Sequence, residues 1–517
     1  MNSDVQPGLL VLHGNRSELL RDALFEWIQR QPLGPLEEEV FLVQSNGVAE
    51  WLKMALAERL GVCAATRVEL PARFMWRTFR QALGRDAVPP VSPLDKAALT
   101  WRLMAHVPTL LALPGYEPLA RFLQGDDVVR RLQLCQRLAD LFDQYQVYRS
   151  DWLDAWAAGR DVLPNPGAPD RPVPDDQRWQ PLLWREVLGL LSPGERQGTR
   201  PQLHRRFVAA MGQGGSPVSP VARRVVLFGM SHVPLQTMEA LAALSAHAQV
   251  LLAVPNPCRF HWADILQGRD ALRPSRGRHP LRAGRDLAAI PLEDMHLHGH
   301  PLLAAWGRQG GDFIRQLDAF DDAAARARFA IPRVDLFDEA EGETLLSQVQ
   351  ARIRDLVPLA EHPSVEARPD DRSIVFHVTH SGQREVEVLH DQLLALLAAP
   401  GGMPQERPLH PRDIVVMVPD VETLAPAIRA VFGQYARSDA RFIPFDIADV
   451  NDRGTNPLVV AVDWLMRVPQ ERCRLNDVRD LLDVPAIANR FGIQDTDLPQ
   501  LTAWIAGAGV RWGLNEA

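Results

Sequence analysis

The sequence predicts an α/β fold with parallel sheets, helices on both faces of the sheets, and a large helical insertion. Two observations point to the sheets. Apolar runs followed by a polar turn and a helical apolar pattern occur twice before residue 90, and this order returns after Arg224 and after residue 373. Such units favour parallel strands joined by helical crossovers. A third observation indicates the insertion, because residues 95 to 215 show helical patterns without convincing strands.

The first strand and helix unit lies in "LLVLHGNRSELLRDALFEWI". Leu9–Leu12 forms the predicted strand, and Asn15 or Ser17 is expected to cap the helix that follows. This unit and the next belong to the first part of a predicted α/β domain over residues 1–90.

The second unit lies in "EEEVFLVQSNGVAEWLKMALAERLG". An apolar run, Val40–Val43, precedes the polar turn 44–47. After the turn, apolar residues recur at helical spacing and predict a helix; they are Val48, Trp51, Leu52 and Ala55. A strand, turn and helix in this order point backbone N–H groups at a phosphate, yet this turn has no lysine.

The helical insertion is expected over residues 91–222. Its long helix, in "DDVVRRLQLCQRLADLFDQYQVYRSDWLDAW", carries one apolar stripe at spacings of three and four. The stripe consists of Val128, Leu132, Cys135, Ala139, Phe142 and Tyr145. The segments "DKAALTWRLMAHVPTLLAL" and "PLLWREVLGLL" are also predicted helices, and the proline-rich "VLPNPGAPDRPVPDD" separates the pieces.

The α/β pattern returns over residues 223–355 and again over 365–517. The first return contains a strand, turn, helix and strand from Arg224, and then an arginine-rich loop at 269–285. A solvated loop and a contact to a phosphate backbone fit that loop equally well. Residues 356–373 are the best linker candidate, because they carry prolines and charges without periodicity. "SIVFHV", "DIVVMV" and "IPFDI" then predict strands of a second α/β domain.

The composition describes a globular protein. The chain has 517 residues, of which 46% are hydrophobic and 23% charged. Because a typical domain has about 150 residues, a chain of this length is expected to form roughly three domains. No apolar run approaches the roughly 20 residues of a spanning helix, and the first residues lack a signal-peptide pattern. We therefore expect a cytoplasmic protein that makes no membrane contact.

Cysteine content and net charge exclude only a few classes of function. The four cysteines, Cys63, Cys135, Cys258 and Cys473, are too scattered for a disulfide framework and are expected to be buried free thiols. The formal charge of −8 argues against a simple basic nucleic-acid binder. A local positive channel remains compatible with that charge.

No catalytic or metal site is expected. The turns 13–16, 44–47 and 380–383 lack the GxxxxGK[ST] sequence of a phosphate loop, which makes ATP hydrolysis by this chain improbable. The pair Asp140 and Asp143 shares a helical face without a third carboxylate, and structural acids explain it best. The histidines include no HExxH motif.

Several motifs, in order along the chain, resemble one known family. They are "VQSNGVAEWL", "LPARFMW", "ADLFDQYQVYRSDWL", "NPCRFHWADI", "HPLLAAWGRQGGDFI", "HSGQREVEVLHDQLL" and "LLDVPAIANRF". All of them resemble the RecC family, the gamma subunit of exodeoxyribonuclease V. The resemblance extends along nearly the whole chain.

The resemblance implies an inactive superfamily 1 helicase-like fold. It also implies a subunit that splits DNA ends, guides single strands and scans for the recombination signal Chi. The expected partners are RecB-like and RecD-like subunits and double- and single-stranded DNA, and the partner subunits would use ATP and Mg²⁺. The resemblance further suggests an N-terminal fragment with an incomplete second domain.

The family's Chi-reading surface can be transferred where the motifs match. It falls on Gln44, Asn46, Glu50, Leu70, Trp76, Asp140, Leu141, Asp143, Gln144, Arg149 and Arg200. Amide, carboxylate and guanidinium groups can read base edges, and tryptophan can stack on an unpaired base. Leu70 and Trp76 fit an ordinary core equally well.

Two departures leave the cognate signal open. Where the family commonly has Thr and Gln, this chain has Asn46 and Glu50, and a carboxylate cannot donate a hydrogen bond. Two rival functions also remain: an autonomous ATP-dependent helicase or nuclease, and a protein-binding scaffold without DNA contacts.

Overall fold

A computed structural model gives the structure of the chain. The described residues are 5–125, 127–165, 168–212, 215–260, 262–263, 300–319, 333–339, 342–362, 368–398, 409–448, 456–494, 496–509 and 511–513. The chain forms two compact units, Met1–Ile374 and Val375–Ala517.

The first unit is built on a parallel sheet. The strands in its described part are β1 (Gly8–Gly14), β2 (Glu39–Leu42), β3 (Thr66–Glu69), β4 (Val162–Asn165), β5 (Ala168–Pro172), β6 (Arg224–Phe228), β7 (Gln249–Pro255) and β8 (Arg333–Leu336). Six of them form one sheet in the order β3-β2-β6-β7-β1-β8, and every neighbouring pair is parallel. The predicted α/β class is confirmed.

Helices connect and cover these strands. Those described in the first unit are α1 (Ser17–Arg30), α2 (Asn46–Leu60), α3 (Pro71–Leu83), α4 (Lys96–Leu110), α5 (Glu117–Phe122), α6 (Val128–Tyr148), α7 (Ser150–Ala157), α8 (Trp179–Gly189), α9 (Pro193–Gln197), α10 (Arg200–Gly212), α11 (Leu235–Leu244), α12 (Pro301–Trp306), α13 (Arg308–Ala319) and α14 (Leu345–Arg354).

Both faces of the sheet are covered, because alternate residues of each strand enter different cores. In β1, Leu9 and Val11 join the core that contains α3, α10 and α11. Leu10 and Leu12 join the opposite core, which contains α1 and α2. The strands are therefore buried on both sides, as expected for a parallel sheet.

The start of α1 differs from the sequence prediction. Arg16 occupies the cap position and makes no side-chain capping bond. The Asn15 side chain instead accepts a hydrogen bond from the Asp338 backbone at 2.9 Å. The prediction that Asn15 or Ser17 caps the helix is wrong, because the Asn15 side chain bonds instead to Asp338 in the segment after β8. At the turn after β2, the Ser45 side chain caps α2 by accepting a hydrogen bond from the Val48 N–H.

Between β3 and β6 the chain leaves the sheet and forms a core of its own. Helices α4, α6, α7 and α8 contribute to this core, including the large buried rings of Phe142, Trp156 and Trp184. The predicted long helix is α6, and the middle of its stripe is buried as expected. Val128, at the start of that stripe, is 52% exposed, because the first turn of the helix extends beyond this core.

The proline-rich segment contains strands that the sequence did not suggest. β4 and β5 pair antiparallel as an isolated hairpin. Both strands are edge strands, which is where proline is tolerated because a missing N–H need not face a partner. The hairpin is attached to α7, since the Trp156 indole N–H donates to the Val162 carbonyl at 2.9 Å.

The second unit is helical in its described part. Its helices are α15 (Gly382–Ala398), α16 (Val421–Phe432), α17 (Pro457–Arg467), α18 (Leu475–Leu482), α19 (Pro485–Phe491) and α20 (Leu498–Gly507). A small core joins α15 and α16 through Val386, Leu393, Val431 and Phe432.

The predicted second parallel sheet does not appear in the described residues of this unit. The segments 375–378, 414–418 and 443–447 form no strand ladder. Phe376 and Val378 are 88% and 97% exposed. Their alternating apolar pattern predicted strands, but a strand also needs a hydrogen-bonded neighbour, which a local pattern cannot supply.

Three other expectations concern the whole chain. All four cysteines are free thiols; three are buried and Cys63 is half-buried. None of the described helices is long and apolar enough to cross a bilayer. The arginine-rich loop at 269–285 lies outside the described residues.

A buried polar network lies at the amino-terminal edge of the sheet. Arg224 has no exposed surface, and its guanidinium group contacts Glu39 at 2.6 Å and the Gln249 side chain at 2.7 Å. It also donates to the Gln31 carbonyl after α1. Burial raises the pKa of Glu39 and lowers the pKa of Arg224. Each charge is therefore tolerated only because the other lies beside it.

We predict that Arg224→Met destabilises the first unit by about 3–5 kcal/mol, because it leaves Glu39 buried without its partner. Urea unfolding followed by tryptophan fluorescence measures the loss, since Trp27 donates to Gln249 within the same network. The matched control is Arg223→Met. Arg223 pairs with Glu37 at 3.1 Å, but both side chains are substantially exposed, so a loss below about 1 kcal/mol is expected. Equal losses in the two variants would contradict the assigned role of burial.

Candidate nucleic-acid interface

A cavity of about 420 Å³ lies where α3, α6, α10 and the start of α11 meet. We call it the α3–α6 pocket. Its wall consists of Leu70, Pro71, Ala72, Met75, Trp76, Phe79, Pro90, Val91, Ser92, Asp95, Gln146, Val147, Tyr148, Arg200, His204, Pro234, Gln236 and Thr237. Three predicted site residues, Leu70, Trp76 and Arg200, are among them. The volume lies within the range of about 300–1,000 Å³ found for ligand pockets.

One side of the pocket is apolar. Leu70 directly follows β3 at the cap of α3 and is 47% exposed, so it is not a core residue. Trp76 lies on α3 at the border of the sheet core. Its indole N–H donates to the carbonyls of Pro89 and Pro90 at 3.1 and 3.0 Å. These two bonds fix the orientation of the ring beside the cavity.

The opposite side is polar and centres on Arg200 at the start of α10. Its guanidinium group lies 3.3 Å from Asp95 and 3.1 Å from Asp143. Burial raises the pKa of Asp143; the positive charge of Arg200 opposes this shift and the negative charge of Asp95 adds to it. The Asp143 oxygen nearest Arg200 is buried and has no well-aligned hydrogen bond. Arg200 thus holds two carboxylates near the pocket, and the hydrogen-bonding capacity of the Asp143 carboxylate is not fully used.

A second ion pair stabilises the same region. Lys96, at the start of α4, pairs with Asp140 on α6. The hydrogen bond to Asp140 raises the pKa of Lys96. Asp140 therefore lies close to the acidic cluster of Asp95 and Asp143, but its carboxylate already has a cationic partner.

The structure reveals one pocket residue that the sequence prediction missed. Gln146 is fully buried on α6 and lies in the pocket wall. Its amide N–H donates to the Leu94 carbonyl at 3.2 Å, while its side-chain oxygen has no hydrogen-bond partner among the described residues. A buried acceptor without a donor is costly. A glutamine on the buried face of an apolar stripe was the signal that could have identified it.

An aromatic stack that reaches the pocket was also missed. Tyr148, at the end of α6, stacks on His232 with ring centroids 5.6 Å apart, and Tyr148 lies in the pocket wall. His204 in the same wall contacts Glu239 at 2.8 Å. The exposed ring of Tyr148 provides a flat surface on which an unpaired base can pack.

The turn after β2 lies beside the pocket. The Val43 N–H donates to the Glu69 carbonyl at 3.2 Å, which places the ends of β2 and β3 next to each other. Gln44 and Asn46 follow β2, and Leu70 follows β3. Gln44 and Asn46 are exposed, so their amide groups are accessible to a ligand.

Other predicted site residues lie apart from the pocket wall. Arg149 pairs with Asp151 at 2.8 Å and stacks over Trp152 at 4.1 Å. Glu50 pairs with Lys53 at 2.8 Å on the exposed side of α2. Leu141 is half-buried and Gln144 is exposed on α6, and neither is part of the pocket wall.

The chemistry of the pocket suits recognition better than catalysis. It combines aromatic and aliphatic surface with an arginine and several acceptors, which are the groups that bind a base by stacking and hydrogen bonding. In the described parts of the chain, no three His, Cys, Asp or Glu residues are grouped so that they could hold a metal ion. The fold and pocket define an α/β protein with a pocket beside the carboxyl edge of its parallel sheet.

Comparison with known families identifies the protein more closely. The family described as "RecC, N-terminal domain" matches residues 9–356, and "RecBCD enzyme subunit RecC fourth domain" matches residues 455–517. The chain belongs to the RecC family, which confirms the resemblance found in its motifs.

Individual relatives agree with this assignment. The chain is similar to proteins named RecBCD enzyme subunit RecC from Escherichia coli (strain K12), Haemophilus influenzae and Mycolicibacterium smegmatis, with identities of 35%, 33% and 30%. Each alignment covers 98% of this chain but only 45%, 46% and 43% of the relative. The chain therefore spans less than half the length of these relatives.

A double-mutant cycle should show that Arg200 and Asp143 are energetically coupled. We expect Arg200→Met and Asp143→Asn to be non-additive by about 1 kcal/mol or more in unfolding free energy, because residues in one polar network couple by about 0.5–3 kcal/mol. Both side chains are less than one-third exposed, which limits screening by solvent. The pKa of Asp143, followed by carboxyl NMR, should rise further in Arg200→Met because the opposing positive charge is removed.

The matched control is the exposed pair Arg178 and Asp175, whose charged groups lie 2.6 Å apart. Substitution of this pair should give a coupling below about 0.5 kcal/mol. If both cycles give the same coupling energy, the cluster around Arg200 has no special electrostatic role.

Proposed function

We propose that this chain is the DNA-binding gamma subunit of a RecBCD-type helicase and nuclease, exodeoxyribonuclease V. In this role it splits DNA ends, guides single strands and recognises Chi during double-strand break repair by homologous recombination. The observation that carries the proposal is the α3–α6 pocket. In a chain of the RecC family, it brings Leu70, Trp76 and Arg200 together and places Asp143 against Arg200.

We further propose that the sheet descends from a superfamily 1 helicase domain. Residues 1–90 and 223–355 would form that domain, 91–222 its helical insertion, and 365–517 a second helicase-like domain. The chain does leave the sheet after β3 and rejoin it at β6, which supports this division.

Contacts at the turn after β1 support the proposed loss of ATP chemistry. This turn holds Asn15 and Arg16 where a phosphate loop would need a lysine and a hydroxyl. Arg16 pairs with Asp338 at 2.7 Å, and Asn15 exchanges hydrogen bonds with the Asp338 backbone. The turn is thereby attached to the segment after β8. In the proposed complex, RecB-like and RecD-like partners would use the ATP and Mg²⁺, and the complex would act in the cytoplasm.

The proposed reading surface combines two recognition chemistries. Trp76 and Leu70 offer apolar surface to an unpaired base. Hydrogen bonds to base edges would come from Gln44, Asn46 and the carboxylate of Asp143. Arg200 would add two parallel N–H donors. Each well-formed pair discriminates between bases by about 1–3 kcal/mol. A few such contacts are sufficient to recognise a short sequence.

The remaining predicted residues would act at the edge of this surface. Asp140, Leu141, Gln144 and Arg149 lie on α6 or at its end, and Glu50 lies on α2. Because Glu50 and Asn46 depart from the common family motif, they would determine whether the cognate signal has changed.

The functional test uses this chain assembled with RecB-like and RecD-like partner subunits. Gln44→Ala and Asp143→Ala should each change the positions at which nuclease activity responds to sequence, while unwinding of the duplex persists. Gel mapping of the products on substrates of varied sequence measures the response. Gln136→Ala is the control, because Gln136 is an exposed residue of α6 outside the proposed surface. An unchanged signal response in both variants would refute the reading surface.

Crosslinking separates this function from its rivals. Single-stranded DNA with photoreactive bases should crosslink to the chain between Asp140 and Arg149 in the assembled complex. No crosslink at that helix would favour a scaffold that binds only proteins. ATP turnover by the purified chain, abolished by substitution in one of the turns 13–16, 44–47 or 380–383, would favour an autonomous helicase.

A further inference from the structure

The second unit contains a basic pocket that is separate from the proposed reading surface. A cavity of about 320 Å³ is lined by Arg472, Arg474, Leu475, Asn476, Arg511 and Trp512. We call it the three-arginine pocket. Its guanidinium groups come from two segments that are far apart in the sequence, so the fold has to bring them together.

Backbone hydrogen bonds hold the two segments in place. The Leu475 N–H donates to the Arg511 carbonyl at 3.0 Å, and the Gly513 N–H donates to the Arg472 carbonyl at 2.9 Å. Cys473 lies between the first two arginines with a buried side chain and a φ of 45°, in the left-handed region. A non-glycine residue rarely adopts this backbone conformation, and such positions often occur at ligand sites.

No carboxylate of the described residues pairs with the guanidinium groups of this pocket. Arg472, Arg474 and Arg511 are exposed, and the described ion pairs of the unit include none of their guanidinium groups. Arg467, in contrast, pairs with Asp463. The carboxylate of Asp477 accepts the backbone N–H of Arg474 at 3.0 Å and thus serves the start of α18. In a chain of net charge −8, three arginines without a described carboxylate partner concentrate positive charge at one place, which favours an anion.

Trp512 distinguishes this site from a simple phosphate-binding patch. The residue is 71% exposed and lines the same cavity as the arginines. A guanidinium group binds phosphate oxygens through paired N–H donors, and an exposed indole stacks on an unpaired base. Both features together match a polyanion that carries aromatic groups, whereas an acidic peptide would need only the arginines.

We propose that the three-arginine pocket binds single-stranded DNA, with the arginines on the phosphate backbone and Trp512 stacked on a base. The site is indifferent to base identity, because the groups it offers are cationic and aromatic. The choice of DNA as the polyanion rests on the proposed function.

The test measures binding of this 517-residue chain to a fluorescein-labelled oligothymidylate by fluorescence anisotropy over a range of salt concentrations. Each lost phosphate contact reduces the slope of log K against log salt by about 0.7 for a single strand. The double variant Arg472→Gln with Arg511→Gln should therefore lower the slope by about 1.4. Trp512→Leu should weaken binding about tenfold and leave the salt slope unchanged.

Arg467→Gln is the matched control, because Arg467 is an exposed arginine of the same unit that already has a carboxylate partner. It should bind as the unaltered chain does. Circular dichroism and thermal melting confirm that each variant is folded, and the single variant Arg511→Gln, with an expected slope change of about 0.7, replaces the double variant if that one unfolds.

The outcomes separate the two proposals. If the unaltered chain does not bind single-stranded DNA at all, the proposed function fails, and this inference fails with it. If the unaltered chain binds but the arginine and tryptophan variants bind equally well with the same salt slope, only this inference is overturned. It is also overturned if the arginine variants lose binding to polyglutamate but not to the oligothymidylate, which would indicate an acidic protein partner.

Discussion

The pairing of β2 with β6 is the constraint on which the first unit depends. Arg224 and Glu39, which bond across this junction, are separated by 185 positions in the sequence. Every helix from α2 to α10 must fit within the loop that this pairing closes. A buried, fully desolvated arginine is an unusual component of a sheet, and it is stable here because Glu39, Gln249 and the Gln31 carbonyl surround it.

The location of the candidate interface follows from this pairing. Parallel strands end at one edge, so the residues after β2 and β3 are neighbours. α3 then packs one face on the sheet core through Phe74 and Phe79. It also contributes Leu70 and Trp76 to the pocket, where α6 and α10 complete the wall. The pocket therefore exists only because the separate helical core packs beside the carboxyl edge of the sheet, where α6 contributes to the wall.

The sequence predicted local features well and tertiary ones unevenly. Strand and helix patterns around β1, β2, β6 and β7 were correct, since burial on both faces produces continuous apolar runs. The capping role of Asn15 was mispredicted, because Asn15 bonds to Asp338, which is distant in sequence. The β4–β5 hairpin was missed, because proline within a segment argues against a strand unless the strand lies at an edge. Family motifs suggested Leu70, Trp76 and Arg200, which do meet. Gln146 and the Tyr148–His232 stack were missed, because their significance lies in neighbours that only the fold supplies.

The two hydrogen bonds from the Trp76 indole to Pro89 and Pro90 have a kinetic consequence. A side chain that is already fixed loses little conformational entropy when it stacks on a ligand. It also needs no rearrangement before contact, so association and release can both be rapid. A rigid ring of this kind suits the proposed ligand, a single strand that moves past the protein, because a slow conformational change would limit how fast successive bases are sampled.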